Sequence, residues 1–130
     1  MTDGSQTPSI SQAEWEVMEV IWDESPILAS TVVERLIPQR DWSPRTIKTM
    51  LNRLVRKGAL HFEVHGKRYL YRPAVSRQQC IQRKSRSFLK WIFGGSRGAM
   101  LAQFVRDSSL SEDDIAELRK ILDEKQEGKS

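Results

Sequence analysis

The sequence predicts a mainly α chain in two parts: three helices closed by a β-hairpin, then three further helices. Three observations predict it. Residues 43–58, SPRTIKTMLNRLVRKG, open on a helix-start pair and end on glycine, with apolar residues at helical spacing between. Residues 59–73 change to a period of two, interrupted at Gly66. From residue 76 the helical spacing returns in three short segments, broken by Gly94-Gly95 and restarted at Ser111.

In chain order, residues 1–9 (MTDGSQTPS) are polar, carry Gly and Pro, and are expected to form a disordered lead-in. Ser11 and Glu14 have capping-box spacing, and the segment to residue 24 carries Trp15, Val17, Met18, Ile21 and Trp22 on a broad apolar stripe. The tryptophans sit at core spacing beside Met and Ile, so they are assigned to the core. Ser25-Pro26 breaks this helix, and Ile27-Leu28-Ala29 has room only for a strand fragment or turn. Ser30 is expected to cap a second helix with Val33, Leu36 and Ile37 as its buried edge, and Pro38 ends it. A five-residue loop, 38–42, leads to the third helix, where Ser43 can accept from a first-turn amide and Pro44 fits the first helical position.

On that third helix Ile47, Met50, Leu51 and Leu54 fall at i, i+3, i+4 and i+7, which makes one buried stripe. At about 100° per residue the opposite side follows: Arg45, Thr49, Asn52 and Arg56 lie near its centre and Thr46, Lys48 and Arg53 on its flanks. It offers cations and short hydrogen-bonding groups but no carboxylate, the inventory that phosphates and base edges in a major groove require. Next, Leu60, Phe62 and Val64 alternate with His61, Glu63 and His65, Gly66 turns the chain, and Tyr69, Leu70 and Tyr71 return before Pro73. The hairpin tip, Lys67 and Arg68, is basic. A helix-turn-helix followed by such a hairpin defines a winged helix, here residues 10–74.

Ser76 with Gln79 opens the fourth helix, with apolar Ile81, Phe88, Leu89 and Ile92 and basic Arg77, Arg83, Lys84, Arg86 and Lys90. The fifth, over 97–106, carries Met100, Leu101, Phe104 and Val105. The sixth places Glu112, Asp113 and Asp114 in its first turn, where they complement the helix dipole, and Ile115, Leu118, Ile121 and Leu122 on one stripe. Helices this short cannot bury those faces alone, so residues 75–126 are expected to form a dimerisation domain with a second copy of the chain. Residues 127–130 should fray.

Charge supports the same division. The net charge of the 130-residue chain is only +4, yet residues 1–39 hold one arginine and seven carboxylates while residues 40–72 hold nine Lys or Arg and two carboxylates. Such local concentration is the footprint of a polyanion-binding surface. A single cysteine, Cys80, excludes an internal disulfide framework and fits a reducing compartment. No apolar run approaches the roughly 18 residues of a membrane span, and residues 1–9 lack a signal-peptide pattern, so a cytoplasmic location is expected. The histidines and the cysteine stand on different elements with no paired base, and no glycine-rich phosphate loop is present, so no enzyme is expected.

With ISQAEWEVMEVIW, DWSPRTIKTMLNRLVRKGAL, the hairpin and LSEDDIAELRKIL in place, the chain resembles the penicillinase repressor family of the BlaI/MecI type over residues 10–122. The resemblance implies a transcriptional repressor of the kind that controls antibiotic resistance, with a winged helix reading half of a palindromic operator and a C-terminal helical domain forming the homodimer. Carried over by position, Arg45, Thr46, Lys48, Thr49 and Arg53 would face the operator, Trp42 would lie against the backbone at the helix start beside Ser43, and Lys67 and Arg68 would be wing contacts. The dimer would use Ile81, Phe88, Ile92, Met100, Leu101, Phe104, Val105, Ile115, Leu118, Ile121 and Leu122. Members that answer β-lactams are inactivated when a membrane sensor leads to cleavage of an Asn-Phe bond in a segment like LNFVE. The matching residues here run from Leu101 to Val105, so the bond would be Gln103-Phe104, with Gln in place of Asn and one extra residue near Gly98. The copper-responsive branch carries paired Cys-x-Cys motifs at its C-terminus. This chain has none, and Cys80 alone cannot supply such a thiolate set, so no metal or cofactor is expected. His61 and His65 are four residues apart on one strand, about 13 Å at strand rise, too far to share a metal. The alternative function, a winged helix that binds another protein, predicts DNA affinity that is weak and indifferent to sequence.

Overall fold

Ser11 starts the first helix, α1 (Gln12–Asp23), with a complete capping box: its hydroxyl accepts from the Glu14 amide at 3.2 Å and its own amide donates to the Glu14 carboxylate at 2.9 Å. The structure, a computed structural model, describes residues 7–128. After α1 come β1 (Ile27–Leu28), α2 (Ala29–Leu36), α3 (Pro44–Arg56), β2 (Leu60–His65), β3 (Arg68–Pro73), α4 (Arg77–Phe93), α5 (Arg97–Asp107) and α6 (Glu112–Glu127). The strands form an antiparallel sheet in the order β1-β3-β2, with β1 pairing Ile27 to Tyr71 and Leu28 to Leu70. Three helices, a hairpin and a short strand on its inner edge make the winged helix that the sequence predicts.

Val17, Met18 and Ile21 of α1, Val32 and Leu36 of α2, and Ile47, Met50, Leu51 and Leu54 of α3 share one core, closed by Ala59, Leu60, Tyr71 and Cys80. Trp15 and Trp22 flank it edge to face, 5.4 Å between ring centroids, and the Trp22 indole donates to the Val75 carbonyl at 2.9 Å. The α3 stripe is buried as its spacing requires.

Several local expectations are corrected. Ser30 does not cap α2: Leu28, held extended by its pairing with Leu70, occupies the cap position with no side-chain hydrogen bond, so the helix begins at Ala29. Its buried edge is accordingly Val32 and Leu36, while Val33 is half-buried and Ile37, the C-cap residue, is exposed. Arg68 is not at the turn but opens β3 opposite His65, leaving Gly66 and Lys67 as the two-residue turn. Of the disordered lead-in, residues 1–6 lie outside the described residues; Thr7 is buried and the Ser9 carbonyl accepts from Lys57. Of the frayed tail, residues 129 and 130 also lie outside them, and α6 continues to Glu127.

The chain divides into two units, with the division inside α4 after Ser87. The first turns of α4 therefore belong with the winged helix, because Cys80 is buried in its core and Arg77 pairs with Glu19 of α1 at 2.9 Å. The second unit has a different character. No residue of α5 or α6 is buried, and Ile92, Leu101, Phe104, Val105, Ile115, Leu118, Ile121 and Leu122 are all exposed. Its best-formed contact is an aromatic group in which Phe104 stacks on Phe88 at 5.9 Å and meets Phe93 edge-on.

Candidate nucleic-acid interface

The outward side of α3 is set by what its inward side must bury. Ser43 caps the helix by accepting from the Thr46 amide at 3.1 Å, and Pro44 fills the first position. No acid occupies the first turn, so the positive end of the helix dipole is left uncompensated. Arg45, Thr46, Lys48, Thr49, Asn52 and Arg56 are all exposed. Thr49 donates its hydroxyl to the Arg45 carbonyl at 2.9 Å, which points its remaining surface outward as methyl and lone pairs. Among the described residues Arg45, Lys48, Asn52 and Arg56 have no side-chain hydrogen bond or ion pair, so their donors are free for a ligand.

Three expected contact residues are placed differently from these. Arg53 is exposed, but its guanidinium stands 3.9 Å from the Glu14 carboxylate and leans toward α1. Trp42 is half-buried against the core, with the Arg40 guanidinium over its ring at 5.9 Å, so it braces the start of α3. The Ser43 hydroxyl is engaged by its cap. On the wing, Lys67 and Arg68 are exposed and unpaired among the described residues. Together with Lys48, Asn52 and Tyr69 they line a groove of about 700 Å³ between α3 and the hairpin.

Sequence reasoning missed the group that fixes the far end of α3. Glu14 is 1% exposed, and its carboxylate accepts from Lys57, the C-cap residue of α3, at 2.5 Å. Burial pushes this carboxyl up, but hydrogen bonds from Lys57 and the Ser11 amide, the Lys57 charge and the Ser11 hydroxyl outweigh it and hold it below the usual carboxylate range. The capping-box spacing located Glu14; nothing local could show that a lysine 43 residues away would close over it. Cys80 was likewise not assigned to the core. Burial raises its thiol, with Lys84 opposing, which makes it a packing residue of low reactivity.

Fold and face together define a winged-helix protein of the DNA-binding class. Residues 10–124 match the penicillinase repressor family, and the chain belongs to that family of transcriptional repressors. It is 42% identical over 117 residues to a penicillinase repressor of Bacillus licheniformis, covering 90% of this chain and 91% of that protein. It is 36% identical over 121 residues to the methicillin resistance regulatory protein MecI of Mammaliicoccus sciuri, covering 93% of this chain and 98% of that one. Among solved structures it is similar to the DNA-binding domain of the repressor BlaI, at 44% identity and a TM-score of 0.52 over 55% of this chain and 88% of that one. A second, at 44% identity, a TM-score of 0.50 and the same coverage, is the monomeric form of Bacillus licheniformis BlaI in complex with the blaP half-operator. No described helix is long and apolar enough to cross a membrane.

Proposed function

We propose that the chain represses transcription as a homodimer on a palindromic operator, each protomer reading one half-site with the outward face of α3. The observation that carries this is the free cationic face of α3, with Arg45, Lys48, Asn52 and Arg56 outward and Ile47, Met50, Leu51 and Leu54 buried behind them. The complex of a relative with a half-operator supports the DNA-binding reading. The exposed apolar side chains of α4, α5 and α6 supply the second element, a face that needs a partner helix layer, and a second copy carries its complement by symmetry. Two linked readers hold an operator at salt concentrations that would release one.

Relief of repression by cleavage would act through that face. Gln103-Phe104 lies inside α5, with Phe104 in the Phe88 stack and the Gln103 amide donating to Asp107 at 2.5 Å. A cut there, delivered by a membrane sensor-protease system, would leave Phe104 and α6 on one fragment and Phe88 and Phe93 on the other, splitting the aromatic group and undoing the dimer. The repressor reading is tested by gel shift on duplexes selected from a random pool. Wild type should retain a palindromic site and Arg45→Ala and Lys48→Ala should bind it more weakly; equal binding by all three chains would refute α3 as the reader.

A further inference from the structure

A hollow of about 610 Å³ opens beside the start of α1, bounded also by the loop before α3 and the first turns of α4. Its apolar wall is Ile10, Trp15 and Ile81. Ile81, expected to serve the dimer, stands in the first unit and is half-buried among these lining residues. The Trp15 ring is held in place: its indole N–H donates to Glu19 at 3.2 Å, and it meets Trp22 edge to face at 5.4 Å. The charged lining is Glu16, Arg40 and Lys84. Glu16 and Arg40 compensate each other as an ion pair. Lys84 is exposed and, among the described residues, has no hydrogen bond or ion pair. The hollow therefore sets one uncompensated positive charge beside an apolar, aromatic wall.

We propose that this hollow binds a small organic anion, a flat carbon body bearing one carboxylate, with the body on Ile10, Trp15 and Ile81 and the carboxylate on Lys84. The DNA-binding reading uses none of these contacts, and the proposal stands independently of it. Hollows of roughly 300–1,000 Å³ lined by apolar and aromatic side chains, with a few polar groups to orient the guest, suit compact ligands. Charge then selects among such ligands. A cationic guest would meet Lys84 and find no free carboxylate, because Glu16 is held by Arg40. A chain of phosphates would find a single unpaired cation among the described lining residues and leave the apolar wall unused. A partner helix needs apolar anchors repeated over several turns, which three clustered residues do not offer. A guest here touches α1, the loop and α4 together. The loop also carries Trp42, over whose ring the Arg40 guanidinium stands, so occupancy reaches the residues that brace α3.

Indole-3-acetate, indole-3-acetamide and tryptamine place an anion, a neutral amide and a cation on the same ring, and they are the probes. Each is titrated into the isotopically labelled full chain while the indole N–H signals are followed by NMR, with Trp15→Phe identifying the Trp15 signal. Indole-3-acetate should move that signal saturably, with a dissociation constant of about 0.1–1 mM for a ligand of its size. The signal of Trp91, which belongs to the second unit, should stay in place. Indole-3-acetamide should bind about two- to fivefold more weakly, and tryptamine more weakly still. Lys84→Gln should bring the acetate down to the affinity of the acetamide, whereas Ile81→Ser should weaken both alike. Thermal unfolding reports folding, and if Ile81→Ser fails to fold, Lys84→Gln at the exposed position decides. Three results overturn the proposal: no saturable movement of Trp15 at about ten times that concentration, equal binding of the acetate and tryptamine, or an unchanged preference for the acetate in Lys84→Gln. A Trp15 signal that moves with protein concentration before any probe is added also overturns it, making the hollow a contact between copies.

Discussion

Replacing Lys57 by methionine removes the ammonium that closes over Glu14 while keeping the length and apolar stem of the side chain. In the wild type the Glu14 carboxylate is 1% exposed and takes one hydrogen bond from Lys57 at 2.5 Å and one from the Ser11 amide at 2.9 Å; its second oxygen has no hydrogen-bond partner, with Arg53 at 3.9 Å. Removing one member of a buried pair costs on the order of 3–5 kcal/mol, and the lower end applies because Lys57 is itself 32% exposed to water. For a unit of about 80 residues, a loss of about 3 kcal/mol lowers the unfolding midpoint by roughly 15 °C. The pH dependence has a definite sign. Glu14 is held below its ordinary value of 4.5, so its contribution is present above that pH and is lost as pH falls through the lower folded value. In Lys57→Met, burial is opposed only by Ser11 and the more distant Arg53, the carboxyl rises, and the protonated form becomes the better fit. The deficit against wild type should therefore be largest near neutrality and shrink toward pH 4. The assay is urea unfolding followed by tryptophan fluorescence, since Trp15 and Trp22 lie against the core. A neutral-pH deficit under about 0.5 kcal/mol, the range of an ordinary surface substitution, would refute the reasoning, as would a deficit that does not change with pH.

The remaining predictions concern the reader, the dimer and two local contacts. Loss of a base contact in Arg45→Ala should reduce operator affinity by about 1–3 kcal/mol with sedimentation unchanged, read by gel shift. Phe104→Asp and Leu118→Asp should each give a monomer that leaves the operator at physiological salt; a dimer in analytical ultracentrifugation would contradict the assignment of that face. Ser43→Ala, which removes the α3 cap, should cost about 1 kcal/mol in thermal unfolding. Trp22→Phe leaves the Val75 carbonyl without its donor and should cost about 1 kcal/mol in the same measurement.

What was legible in the sequence was whatever local rules determine. The α3 boundaries and both of its faces followed from Ser43-Pro44, Gly58 and a strict i, i+3, i+4, i+7 stripe, and the α1 capping box from two residues three apart. Local rules failed where a distant partner decided. Leu28 is extended because it pairs with Leu70, and that pairing, not a capping serine, starts α2 and turns its buried edge to Val32. Phe62 and Val64 alternate as core residues would, yet only Leu60 of that strand is buried, because the hairpin runs out past the edge of the three-helix core. Burial of Glu14 depends on Lys57, and the lean of Arg53 toward α1 depends on Glu14; periodicity alone places Arg53 beside the DNA-facing residues. The groove needed α3 and the wing to be seen together, since Asn52 and Tyr69 belong to different elements.

Selection of duplexes from a random pool, run in parallel with the wild-type chain and with Arg45→Ala, tests the account most directly. The account predicts that wild type recovers a palindrome and that Arg45→Ala recovers the same palindrome with base preference relaxed at the symmetry-related position of each half. Recovery of no shared site by wild type, or of an identical site with identical preferences by both chains, would contradict it.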